Sequence, residues 1–259
     1  MRRALLAAGL LLAVAGCGGT PAGAAAQPDP AALVGWWSAG GLRVLLDTDG
    51  VEVVDGCATA LGSWRADAAG RFVASADTVL PCPDGSGEAP GWLGAAGGFR
   101  FDGADAVLLD RAGAELVRLA PAEPAPGSGT VDPARPGTGR AVAAGPVPPA
   151  PDGSTPAGPD ALTGSWSAGA GAGVEFAADG TWSGTDGCNG TGGSWTAGPD
   201  GGVLATAATV QTLIACDGPG AQLDVGASLA AARAAAVDPS GGLLLLDSGG
   251  AVLLRLGRS

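Results

Sequence analysis

Asp186-Gly187-Cys188-Asn189 ends one apolar-alternating segment, Val174 to Gly184, and leads into another, Gly192 to Thr196. Alternation with a period of two marks a half-buried strand, and Asp-Gly supplies the positive φ that a tight hairpin needs. An earlier copy, Asp55-Gly56-Cys57, has the same context, with Ala58 in place of the asparagine. The turn Ala178-Asp179-Gly180 interrupts the first segment, and Thr181 to Gly184 resume it. Val203 to Thr206 and Thr209 to Ile214 are further short strands. Leu243 to Leu246 and Ala251 to Leu256 bracket Asp247-Ser248-Gly249-Gly250 as a last hairpin. One stretch differs. Ala221 to Ala236 has no proline, many alanines and apolar points at Leu223, Leu229 and Val237, which predicts a helix.

Working outward from that turn, the chain repeats itself. Leu33-Val34-Gly35-Trp36-Trp37-Ser38 corresponds to Leu162-Thr163-Gly164-Ser165-Trp166-Ser167, and Asp49-Gly50 to Asp179-Gly180. Gly62-Ser63-Trp64 corresponds to Gly193-Ser194-Trp195, Cys82 to Cys216, and Leu116 to Leu119 matches Leu253 to Leu256. The offset grows from 129 to 137, as small loop insertions would produce. Two domains follow, 31–120 and 161–259, each large enough for a modest core of its own. In the first, the helix counterpart Glu88 to Gly98 holds Pro90 and four glycines, so that helix should be short or missing. Residues 121–160 between them are rich in Pro, Gly and Ala. They predict a disordered, semi-extended linker reaching roughly 120 Å at about 3.1 Å per residue. The fold class is therefore mainly β: two small antiparallel barrel-like domains, each with at most one helix.

Composition narrows the function. The chain has 48 Gly and 20 Pro, and every one of its 13 basic residues is Arg. Lys, His and Tyr are absent, which points to GC-rich coding and makes the abundance of Ala and Gly weak evidence about function. The net charge is −12, and Arg2 and Arg3 leave −14 for the remainder, so phosphate backbones are not expected as partners. Without His or Lys there is no Ser-His-Asp, Cys-His or Ser-Lys nucleophile and no lysine-ending phosphate loop. Paired carboxylates remain: Glu175 with Asp179 and Asp186, or Asp47, Asp49, Glu52 and Asp55. Two carboxylates at the right separation can hydrolyse a glycoside, although turn residues and solvated strand faces account for all of these. Asp47-Thr48-Asp49-Gly50 echoes the start of a calcium loop but lacks the later oxygen ligands. No metal, cofactor or catalytic residue is assigned.

At the N-terminus, Arg2-Arg3 and the apolar run Ala4 to Ala13 form a signal-peptide pattern too short to span a bilayer. Val14-Ala15-Gly16-Cys17 resembles a bacterial lipobox; the alternative is an ordinary secretory signal with a chance cysteine. The lipobox reading makes 1–16 a lipoprotein signal, Cys17 the acylated residue and 17–30 a flexible tether, and places the body outside the cytoplasm, anchored to the outer face of the membrane. There the other four cysteines should oxidise. Duplication favours Cys57 with Cys82 and Cys188 with Cys216 over free thiols or a metal site. Trp37, Trp166, Trp64 and Trp195 recur in both copies and should pack cores, whereas Trp36, Trp92 and Trp182 are not shared and could mark a binding platform.

The second copy resembles the META domain, the HslJ-like fold of bacterial heat-shock lipoproteins. The likeness runs through Leu162 to Trp166, Asp179-Gly180-Thr181, the turn Asp186, Gly187, Cys188 and Asn189, Gly193-Ser194-Trp195, and Thr212 to Cys216. The first copy is a diverged relative without the asparagine. The resemblance implies a small barrel-like fold, an envelope location, links to stress in some members, and no established enzymatic activity. The expectation is a monomeric, non-enzymatic, lipid-anchored envelope protein whose partner is an envelope protein or a small ligand. The alternatives are a lipid or small-ligand carrier using the barrel interior, and a carboxylate-based hydrolase.

Overall fold

A computed structural model describes residues 27–48, 50–124, 141–143, 145–206 and 223–259. The signal segment with Cys17, Asp49, residues 125–140, the strand expected at Thr209 to Ile214, and Cys216 lie outside the described residues.

The first domain opens with a single 3-10 turn, Pro30–Leu33, capped by Asp29. Five strands follow: β1 (Gly35–Ala39), β2 (Leu42–Leu46), β3 (Val51–Asp55), β4 (Ala58–Asp67) and β5 (Phe72–Leu80). The short helix α1 (Trp92–Ala95) leads into β6 (Ala96–Asp102), β7 (Asp105–Asp110) and β8 (Glu115–Pro121). After the connecting strands β9 (Val142–Ala143) and β10 (Thr155–Pro156), the second domain starts with α2 (Pro159–Leu162). It continues through β11 (Gly164–Gly169), β12 (Ala172–Phe176), β13 (Thr181–Asp186), β14 (Gly190–Ala197) and β15 (Val203–Ala205). Helix α3 (Val225–Ala231) is followed by β16 (Ala234–Val237), β17 (Leu243–Leu246) and β18 (Val252–Arg258).

The two sheets have one strand order. The first runs β5-β4-β3-β2-β1-β8-β7-β6, and the second runs β15-β14-β13-β12-β11-β18-β17-β16 with β10 added outside β16. Neighbours are antiparallel in both, and each sheet curls until its two ends meet. In the first the ends join at a single bridge, Arg71 with Gly98; in the second at Gly202 with Ala234. The protein is thus mainly β, with two barrel-like units, as its alternation and turns predict.

Each barrel is filled by its own side chains. Leu33, Trp37, Leu46, Val53, Trp64, Phe72, Phe99, Leu108 and Leu119 pack the first. Leu162, Trp166, Phe176, Trp182, Trp195, Leu229, Leu245 and Leu256 pack the second. Burial of a large apolar side chain contributes roughly 1.5–3 kcal/mol, so either set outweighs any single surface contact. The recurring tryptophans are held alike. Trp37 Nε1 donates to the Leu33 carbonyl and Trp166 Nε1 to the Leu162 carbonyl, both at 2.7 Å. Trp64 Nε1 donates to the Asp47 carbonyl, and Trp195 Nε1 to the Ala177 and Thr181 carbonyls. Trp36 and Trp182 are buried as well, and Trp92 is half-buried, so no described tryptophan forms an exposed platform.

Two expectations need correction. The helix predicted over Ala221 to Ala236 spans only Val225–Ala231, with Asp224 accepting the Ala227 N–H at its start. Ala234–Val237 is a strand instead, in register with Leu246 to Leu243. A ladder partner overrides the helical preference of alanine, and four small side chains fit where the barrel closes. The linker is also not disordered along its described length. Val142–Ala143 pairs in parallel with Ala66–Asp67, Thr155–Pro156 pairs with Ala236–Val237, and Val147 packs on Ala234, Leu244 and Leu246. Strand β8 itself runs to Pro121, one residue past the expected boundary. A Pro-rich segment still carries backbone donors and acceptors at its other residues, and sheet edges take them up.

Candidate functional site

The turn that organises the sequence is a four-residue loop joining β13 to β14, and its chemistry is spent internally. Asp186 Oδ1 accepts the N–H of Cys188 at 2.8 Å and of Asn189 at 2.5 Å, and Oδ2 accepts from Asn189 Nδ2 at 3.4 Å. The amides of Asn189 and Cys188 hold its carboxyl below the usual carboxylate range. Gly187 takes φ +95°, and a Cβ there would sit 2.8 Å from the Ala170 carbonyl oxygen. Among the described residues only Ala170 is a non-glycine with positive φ, so Gly187 supplies that conformation and Asn189 supplies an amide. The first copy is shaped differently. Asp55 pairs directly with Ala58, leaving a two-residue loop with Gly56 at φ +59°.

Cys57 and Cys82 form a disulfide with Cα atoms 5.1 Å apart, tying that turn to the segment after β5. Cys188 is disulfide-bonded as well; its expected partner, Cys216, lies outside the described residues.

The carboxylates expected as a pair do not converge. Glu175 is exposed on β12, opposite Ser165 and Ser183. Ser183 lies three residues from Asp186 along β13, about 10 Å at 3.3 Å per residue. Asp179 accepts the Thr181 N–H and hydroxyl in its own turn, which lowers its pKa. Asp47 accepts the amide and hydroxyl of Thr48, and its N–H donates to the Gly50 carbonyl. That is a hairpin turn, and no group of metal-holding side chains occurs among the described residues. Glu52 lies on β3 opposite Leu61, and Asp55 ends that strand opposite Ala58.

Among the described residues, side chains pack the interior of each barrel, and two clefts lie between the domains. A groove of about 680 Å³ runs between Ser75, Ala76 and Leu93 on one side and Trp182, Gly192 and Ser194 on the other. A second cleft of about 400 Å³ is lined by Arg71, Arg111, Asp160, Trp195 and Thr196. Beside the first lies Asp77, whose pKa burial raises to about 6 against the opposing hydrogen bond from the Ser75 hydroxyl.

Sequence reasoning missed the seam that joins the two units. Val73, Leu204 and Ala143 form one buried cluster. Arg65, only 6 % exposed, donates from NH1 to the carbonyls of Ala205 (3.4 Å) and Ala232 (3.3 Å) in the second domain. Burial and the like charge of Arg233 lower its pKa to about 10. Arg71 donates to Asp67 and, across the seam, to Asp200 at 2.6 Å. Thr196 donates to the Gly97 carbonyl, and Arg111 to that of Trp195. Three arginines thus surround one buried carboxylate, Asp67. Nothing in the local pattern of Arg65 or Arg71 distinguishes them from surface residues; only the barrel closure brings them inward.

Compared with known proteins, residues 158–259 match the META domain model. META is not a known enzymatic family. No curated protein and no solved structure matches the chain.

Proposed function

We infer, from a META domain over residues 158–259 and a first domain with the same strand order, that the chain is a duplicated META-type protein of the cell envelope. It is anchored by acylated Cys17 to the outer face of the membrane, acts as a monomer, and works by binding rather than catalysis. Its partner is an envelope protein or a small ligand, received between the domains, and envelope stress is the setting that the family likeness suggests.

The observation that carries binding over catalysis is the fate of the carboxylates. Asp179, Asp186, Asp238 and Asp247 each accept amides of their own turns. Acidic groups whose oxygens are taken up by their own turns in this way serve as scaffolding. The interdomain groove of about 680 Å³ meanwhile has apolar walls with few polar groups, which suit a ligand.

Fractionation tests the address. The Cys17→Ser chain should move from the membrane to the soluble fraction, and retention on the membrane would overturn the anchor. Cross-linking on intact membranes followed by capture of the chain then tests the role; a hydrolytic activity abolished by Asp186→Ala would overturn it.

A further inference from the structure

The seam has a symmetry that follows from strand register. In the first domain Arg65 pairs with Val73 and Trp64 with Ala74. In the second, Thr196 pairs with Leu204 and Trp195 with Ala205, so each residue of the β14–β15 ribbon stands 131 positions after its equivalent in β4–β5. The turns agree as well: Gly70 and Gly201 both take φ +79°, and each donates its N–H three residues back, to Asp67 and Gly198. Val73 and Leu204 are therefore equivalent residues, and both lie in the buried cluster, together with Ala143 of the connecting segment. Polar contacts cross the seam in both directions, one residue out of register with each other. Thr196 on β14 donates to Gly97 on β6. Arg65, its equivalent on β4, donates to Ala232 just ahead of β16, the equivalent of β6. Equivalent residues meeting at the centre, with each ribbon reaching the equivalent strand of the other domain, resemble a two-fold isologous interface between copies.

Charge breaks the symmetry in one place. Arg71 of the first domain pairs with Asp200 of the second, while the equivalents of these residues are Gly202 and Ala69. Glycine leaves room for the guanidinium: a Cβ on Gly198 would come within 2.5 Å of Arg71. The ion pair and this space favour unlike ribbons over like ones.

We propose that the seam is a dimerisation surface folded back within one chain, and that a second copy of this chain, docking its opposite ribbon, is the partner that fits it when the internal contact is released. Exchange of identical elements needs no new contact. The proposal rests on the duplication in the reading above but not on the membrane address, which the Cys17→Ser fractionation tests separately.

The test uses full chains carrying Cys17→Ser, so that no lipid confounds the mass. Val73→Phe overfills the seam and Leu204→Ala leaves a hole in it. Each variant mismatches its own seam, whereas in an exchanged pair of the two the enlarged side chain meets the hole. An equimolar mixture should show twice the single-chain mass by light scattering, with both chains in the peak. Each variant alone, and Val73→Phe/Leu204→Ala in one chain, should show the single-chain mass. Single-chain mass in the mixture, with parent-like tryptophan fluorescence in the double variant, overturns the proposal. Should Val73→Phe not fold, the parent refolded from denaturant decides: a dimer fraction rising with concentration supports it, and single-chain mass at every concentration overturns it.

Discussion

At the residue scale, position decides what an acidic side chain does. Asp186 and Asp179 are held below the usual carboxylate range by the amides of their own turns. Such groups stabilise above the unfolded pKa, and that stability is lost as pH falls through the folded value. Asp77 has the opposite sign. Its folded pKa, about 6, exceeds the ordinary 3.8, so the folded state holds the extra proton and stability falls as pH rises from about 4 to 6. Asp77→Asn should flatten that interval: its unfolding midpoint in denaturant should exceed the parent's at pH 7 and match it near pH 4. A midpoint shifted equally at both pH values would remove the proton from the explanation. In the seam, Arg65→Met should change stability little, because the cost of desolvating its guanidinium offsets the hydrogen bonds it gives to the Ala205 and Ala232 carbonyls. Asp67→Asn should cost about 3–5 kcal/mol, because it removes the carboxylate that faces Arg65 and Arg233 and leaves Arg71 only its pair with Asp200. Thermal unfolding of the two variants checks the contrast, and equal effects would refute it.

At the element scale, the turns were legible and the lengths were not. Asp-Gly pairs carry their own conformation, so hairpins could be read residue by residue, and the recurring tryptophans announced both cores. Ala234 to Val237 could not be read as a strand, because alanine has no β signal and its partner Leu243 to Leu246 lies beyond a turn. Thr155–Pro156 likewise became an edge strand for a reason outside its own composition. The candidate site was less legible than the fold. Its groove is lined by Ser, Ala and Gly from segments a hundred residues apart, and no local pattern joins them. The Cys57–Cys82 bridge, predicted from duplication, closes a separation of 25 residues. A loop of that size contributes roughly 3 kcal/mol through the unfolded chain. Cys57→Ala/Cys82→Ala should therefore lower the unfolding temperature by several degrees without changing the far-ultraviolet spectrum. An unchanged temperature would mean the bridge adds nothing.

At the scale of the whole molecule, two domains of one strand order meet across a buried seam, and the mixed-chain experiment tests whether a second copy of the chain can take the place of one of them. Among the described residues each sheet closes on itself at one bridge, Arg71 with Gly98 and Gly202 with Ala234. Both closures lie at the seam, where Arg71 reaches Asp200, Thr196 reaches Gly97, and Arg65 reaches Ala232. Sheet ends so lightly joined are where strands of other chains add on and aggregation begins. Each domain is thus the other's cover: a cell that makes both halves at once, in fixed proportion and already tethered, never leaves either set of edges waiting for its guard.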